Sequence, residues 1–405
     1  MTAHSPLMAN KARVLILLIT AEVLAMSLWF VSAAVLTEMH AEVALSEAAK
    51  AALSSAVQGG FVLGALFVAV SGVADRLDPR KVFAVSILTA GLANLCLLWA
   101  AIGSSEAVIL RGITGFFLAG VYPVGMKIAS GWGQRDRGFI VGLFIGGLTL
   151  GTAAPHLLAW FGGADWRVTV VVASLLSVLS AGLVMLTSTG PFHAKAPRFQ
   201  PNALWLAWTD VRIRRAYGGY LGHMWELFIF WAWLSVALQQ SFLEQMPSDD
   251  ALSLSKLVTF LAVGAGAVSC VWVGWQADKH GKAELAIASL IASGICCLVF
   301  ALSFGGPVWL VSLIAIVWGM AVIADSAQFS ALVADFAPAE SAGTLMAFQL
   351  AIGFLMTTIT VQWAPRVAEL LGWPVLMALL ALGPVFAIYA MWGLRRSSAD
   401  SQQQI

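Results

Sequence analysis

The sequence predicts an all-α membrane protein with twelve transmembrane helices arranged as two six-helix bundles. Three observations support that class. Of 405 residues, 60% are hydrophobic and 11% charged, against roughly 25% charged in a domain whose surface faces water. Apolar runs of bilayer-crossing length recur along the whole chain. Basic residues gather in alternate connections between those runs.

A hydrocarbon core of ~30 Å takes about 20 helical residues, and a helix pairs its own backbone groups where lipid offers no partner. By that measure helices 1 to 6 lie near 13–36, 51–73, 82–102, 106–128, 138–161 and 168–187. Helices 7 to 12 lie near 216–240, 254–275, 284–303, 308–328, 341–363 and 373–394. The run from Arg13 to about Thr37 is too long for a signal-peptide core. The connection after helix 6 holds Pro191, Pro197 and Pro201 among several basic residues. It divides the chain into a bundle over 1–189, a linker over 190–215 and a bundle over 216–405.

Lys50, Arg167, Lys256 and Arg366 fall on one side of the membrane, and Arg111 and Lys127 fall within a span. All other Lys and Arg residues fall on the side of the N-terminus. The positive-inside rule then predicts a multi-pass protein of a bacterial-type inner membrane, with both termini cytoplasmic.

Other function classes lose support. The sequence has no phosphate loop, no nucleophile elbow and no His-Glu-x-x-His pattern, so an enzyme is not expected, nor a cofactor or metal. No basic patch follows a phosphate backbone, so nucleic acid is not an expected partner. Cys96, Cys270, Cys296 and Cys297 lie in apolar runs without metal-ligand spacing and read as small apolar fillers.

Two loops look alike. One reads Ser71-Gly72-Val73-Ala74-Asp75-Arg76-Leu77-Asp78-Pro79-Arg80-Lys81, the other Gly274-Trp275-Gln276-Ala277-Asp278-Lys279-His280-Gly281-Lys282. Asp75 and Asp278 stand 203 residues apart, half the chain, as a parallel repeat of six helices requires. These loops resemble the Gly-x-x-x-Asp-x-x-Gly-Arg-Lys signature of the major facilitator superfamily, between helices 2 and 3. The second copy matches at Gly274, Asp278, Gly281 and Lys282; the first has Ser71 for the leading Gly and Asp78-Pro79 for the second. The resemblance implies secondary transport by alternating access. It also implies that Gly72, Asp75, Arg76, Arg80 and Lys81 with their second-copy counterparts form a latch holding the adjacent half. The plainer alternative is that these charges only set topology. Arg111 followed by Gly115 resembles a second family motif in helix 4. Gly142, Gly146, Gly147 and Gly151 with Pro155 resemble in part the glycine-rich helix of the family's antiporters; close helix packing explains them as well.

An ionisable residue inside a span is costly and marks a candidate site. Away from span edges these are Glu22, Arg111, Lys127, His156, His223, Glu226 and Asp325. Glu22 and Glu226 lie near mid-span and are near-equivalent across the repeat. In the resembled family helices 1 and 7 line the central cavity, so this pair can bind a proton or a cationic group. His223 shares a helix face with Glu226 and suits proton exchange. Asp325 falls in the repeat slot of Tyr122. The expected partners are therefore a small-molecule substrate, protons and the bilayer, with the chain a monomer. Glu226, then Glu22, then Asp325 rank as coupling residues. Two alternatives stay open: small-anion uptake with Arg111 as counter-charge, and a non-transporting membrane sensor. Substrate and direction are not specified by the sequence.

Overall fold

The computed structural model describes residues 6–133, 136–163, 165–192, 200–338 and 340–394. Arg135, Lys195, Pro197, Arg198, Arg395, Arg396 and the side chains of Asp75 and Asp278 lie outside the described residues. The described chain is helical. Eleven helices are long and apolar enough to cross a membrane. Helix 1, which carries Lys11, Arg13 and Glu22, supplies the twelfth element in three pieces, Pro6–Met26, Val31–Ala34 and Leu36–Glu42.

Local chemistry sets the helix limits. Helix 2 (Glu47–Ser71) starts at Ser46, whose side chain accepts from the Ala49 N–H, and stops at Gly72 in the left-handed region, φ 61°. Asp78 caps helix 3 with Pro79 in its first turn, a position where proline has no needed N–H to lose. Helix 7 begins at Val211 rather than near 216, because the Asp210 side chain accepts from the Arg212 and Ile213 N–H groups.

The repeat is visible in these limits. Helices 3 and 9 open at Pro79 and Lys282, and helices 4 and 10 at Ser105 and Val308, each pair 203 residues apart. The sequence places helix 4 near 106–128 and helix 10 near 308–328 as single runs. Instead helix 4 stops at Leu118 and resumes at Tyr122, and helix 10 stops at Ile323 and resumes at Ser326. Pro123, in the first turn of the second piece, explains the helix 4 break. Paired interruptions at matching positions mark where irregular backbone borders a site.

Small residues set the closest packing. A side chain on Gly60 or Gly115 would enter the backbone of the facing helix in the helix 2–helix 4 contact, as expected where helices associate without a hydrophobic drive. The glycines of helix 5 follow the packing reading: Gly142 and Gly146 face helix 8, Gly147 and Gly151 face helix 1. Helices 5 and 8, and helices 2 and 11, form the main contacts between the first six helices and the last six. Arg80 and Lys282 mark the basic end of the molecule; the other is the opposite end.

Candidate functional site

Glu22 is fully buried, and neither carboxylate oxygen has a hydrogen-bond partner. Its carboxylate lies against Gly125, in the first turn of the second piece of helix 4; a side chain there would meet Phe144, Phe83 and Glu22. Tyr122 opens that piece and stacks on Phe144 with ring centroids 6.3 Å apart. Three residues on, Gly125 touches Glu22. An isolated carboxylate charge in such surroundings is costly, and a proton or a cationic ligand removes that cost.

Across from it, His223 Nδ1 stands 2.9 Å from Asp325 Oδ1, both side chains 1% exposed. Tyr220 and Phe329 flank the imidazole, and its Nε2 has no partner. Asp325 sits at the break in helix 10, as Tyr122 does in helix 4, and Cys270 of helix 8 donates to the Ile323 carbonyl at that break, at 3.2 Å. Helices 1, 4, 7, 8 and 10 thus bring Glu22, Tyr122, Cys270, Tyr220, His223 and Asp325 to one region. The repeat offset anticipates the Tyr122–Asp325 correspondence.

Glu226 has different surroundings from those the sequence implied. One oxygen accepts from Trp318 Nε1 at 2.6 Å, from Cys297 Sγ at 3.2 Å and from the Ser293 hydroxyl. These partners belong to helices 9 and 10, so Glu226 ties helix 7 to both. His223 lies one turn away but pairs with Asp325. Glu22, His223 and Glu226 therefore do not form one cluster, although Glu22 and Glu226 occupy near-equivalent repeat positions. Trp318 and Ser293 gave no signal in the sequence, because neither is ionisable or part of a motif.

Arg111 also departs from its expected place facing substrate. It is fully buried and saturated: Nε donates to Ser32 Oγ at 3.0 Å, Nη1 to Asn94 Oδ1 at 2.9 Å, and Nη2 to the Leu28 and Trp29 carbonyls at 3.0 and 2.7 Å. Those carbonyls are the ones freed where helix 1 breaks, so Arg111 closes the break. Its replacement by Met is expected to lower thermal stability strongly, since each orphaned buried acceptor costs about 1–3 kcal/mol. KM of any protein that still folds is expected to change little. A large KM rise at unchanged melting temperature would return Arg111 to the substrate.

Toward the opposite end, buried polar side chains join the two sets of helices. Lys256 in helix 8 pairs with Glu38 in helix 1, both buried, and also donates to the Ala159 carbonyl at 3.3 Å. Thr37 donates to Gln239 at 3.0 Å. Between this layer and the site, aromatic rings from both sets interlock: Trp29 on Phe61 at 4.9 Å, Phe61 on Phe354 at 4.5 Å, Phe228 on Phe354 at 5.2 Å and Phe30 on Trp231 at 5.8 Å. Sequence reasoning missed Glu38 as a span-edge residue and counted Lys256 as a loop charge.

At the basic end the described ion pairs stay within one set. Arg80 grips Asp78 through Nη2 at 2.7 Å and donates to the Thr187 carbonyl at 2.9 Å, tying the loop to the end of helix 6. That guanidinium holds the Asp78 carboxyl below the usual carboxylate range. Lys282 pairs with Asp335 at 2.6 Å. A grip on the adjacent half by Arg80 or Lys282 is therefore not what the structure shows. Gly274, in contrast, does meet the other set, at Gly142 and Gly138 of helix 5. Gly72 and Gly281 serve as positive-φ turns, and Arg76 is exposed.

Comparison with known proteins agrees with this architecture. The sequence model of the Major Facilitator Superfamily matches residues 17–360. A gallate transporter of Pseudomonas putida is 24% identical over 375 residues, covering 85% of this chain and 82% of that protein. The structure of a variant of the nucleoside transporter NupG superposes with a TM-score of 0.70 at 15% identity, over 94% of this chain and 99% of that one. With its helical repeat, its paired breaks in helices 4 and 10 and a family match over most of its length, the chain belongs to the major facilitator superfamily and is a membrane solute transporter, not an enzyme.

Proposed function

We propose that the chain is a proton-coupled carrier of a small aromatic acid. The observation that carries the coupling is Glu22, a buried carboxylate with no partner beside the break in helix 4. It can take a proton from one side and release it to the other as the surrounding helices part and close. His223 Nδ1 donates to Asp325 and Nε2 is uncommitted, so a ring protonated at both nitrogens keeps the Asp325 contact and presents an Nε2–H to a substrate carboxylate. The rings of Trp29, Phe61, Phe228 and Phe354 offer apolar faces above it. The similarity to a gallate transporter supports the same substrate class.

In this reading the basic end is cytoplasmic, and the helices of 1–189 and 216–405 rock as two units about the 190–215 linker. Asp75, Arg76, Lys81 and Asp278 remain candidates for the basic-end latch. The ion pair and aromatic rings hold the outer side shut. The test is uptake of labelled gallate into proteoliposomes under an inward proton gradient. Uptake is expected, with competition by other hydroxybenzoates and none by nucleosides. Competition by nucleosides alone would replace the substrate class.

A further inference from the structure

Helices 11 and 12 pack together near Trp373 and diverge toward the basic end. The gap is a cleft of about 930 Å³ opening on the side of the molecule, away from the central site. Helix 7 forms its floor at Gly218 and Leu221. The short helix Leu206–Thr209 closes it below, with Trp208 at the rim. Phe386 and Tyr389 of helix 12 stand on its wall, and Tyr389 is 83% exposed, an orientation toward lipid for a residue in a span.

Two cations reach into this apolar cleft. Arg214 donates to the Trp208 carbonyl at 2.7 Å. The Arg215 guanidinium lies on Gly393 of helix 12, where any side chain would displace it. Arg212 has Asp210 at 3.3 Å, but Arg214 and Arg215 have no carboxylate partner among the described residues. Both also sit in the first turns of helix 7, where the helix dipole is positive and a like charge is unfavourable. An anion relieves both terms. The positive-inside rule explains basic residues near this end; it does not explain an apolar cleft with two guanidinium groups on its lining.

We propose that this cleft is a binding site for an anionic phospholipid of the basic-end leaflet, with its phosphate on Arg214 and Arg215 and an acyl chain along Leu221, Phe386 and Tyr389. The planar guanidinium fork suits phosphate oxygens. Bound lipid bridges helices 7, 11 and 12 near the start of helix 7, so it stabilises the last six helices.

The experiment is thermal unfolding and native mass spectrometry of the delipidated full-length protein. The probes are micelles containing phosphatidylglycerol, micelles containing phosphatidylcholine, and inorganic phosphate. Phosphatidylglycerol is expected to raise the melting temperature and remain bound in the gas phase; the other two are not. Arg214→Gln/Arg215→Gln is expected to weaken that lipid about tenfold or more, and Arg214→Lys/Arg215→Lys to retain most of the binding. Equal binding of both lipids by the wild-type chain would overturn the proposal without any variant. So would a double Gln variant that binds like wild type, or a full stabilisation by inorganic phosphate alone, which would make the site one for a free anion.

Discussion

Lys256→Met is expected to destabilise the protein by about 3–5 kcal/mol, because it leaves Glu38 buried without its counter-ion. Glu38 gives one oxygen to Lys256 and has no partner for the other, so nothing nearby replaces the lost charge. The double variant Glu38→Gln/Lys256→Met removes both charges and is expected to recover most of the stability. With the pair gone, the opposite end is held by Thr37–Gln239 and the aromatic rings alone. Hydrogen exchange over residues 26–35 of helix 1 is expected to quicken about tenfold or more in the double variant, a shift of ~1.4 kcal/mol in the closed-to-open balance. Unchanged exchange there would make the pair a packing feature with no part in closing that end.

Glu22→Gln is expected to abolish accumulation and spare exchange. One proton moving with each substrate under a gradient of about one pH unit supplies ~1.4 kcal/mol, an accumulation of about tenfold. Gln keeps the shape of the side chain and cannot carry the proton, so the accumulation ratio falls to that of a passive carrier while counterflow persists. Glu226→Gln is the control. Its amide oxygen can still accept from Trp318 and Ser293, so coupling is expected to survive with some loss of stability. The reverse pattern would move the proton site to Glu226, the residue that sequence reasoning ranked first.

The difference between those two glutamates shows what the sequence carries. Helix count, repeat offset and the Tyr122–Asp325 correspondence follow from hydropathy and spacing, because each bilayer crossing has the same length and the repeat preserves it. Glu22 and Glu226 look alike by depth and offset. They differ because Ser293, Cys297 and Trp318 surround one of them, and contacts between distant helices leave no periodic mark. The setting of Arg111 is hidden for the same reason: two of its acceptors are carbonyls released by a break in helix 1 that no proline or glycine announces. Lys256 illustrates the limit of charge counting, which places a residue near a membrane end without showing whether it faces water or a buried carboxylate.

Proton movement driven by substrate tests the central claim most directly. Proteoliposomes loaded with gallate and a pH-sensitive dye, at equal pH on both sides, are diluted into gallate-free buffer. Wild-type protein is expected to carry protons out with the substrate, so the interior turns alkaline faster than in protein-free liposomes. Glu22→Gln liposomes, which still exchange gallate, are expected to match the protein-free rate. Gallate efflux through the wild-type protein with no proton flux would contradict the account, as would a Glu22→Gln protein whose proton flux equals that of wild type.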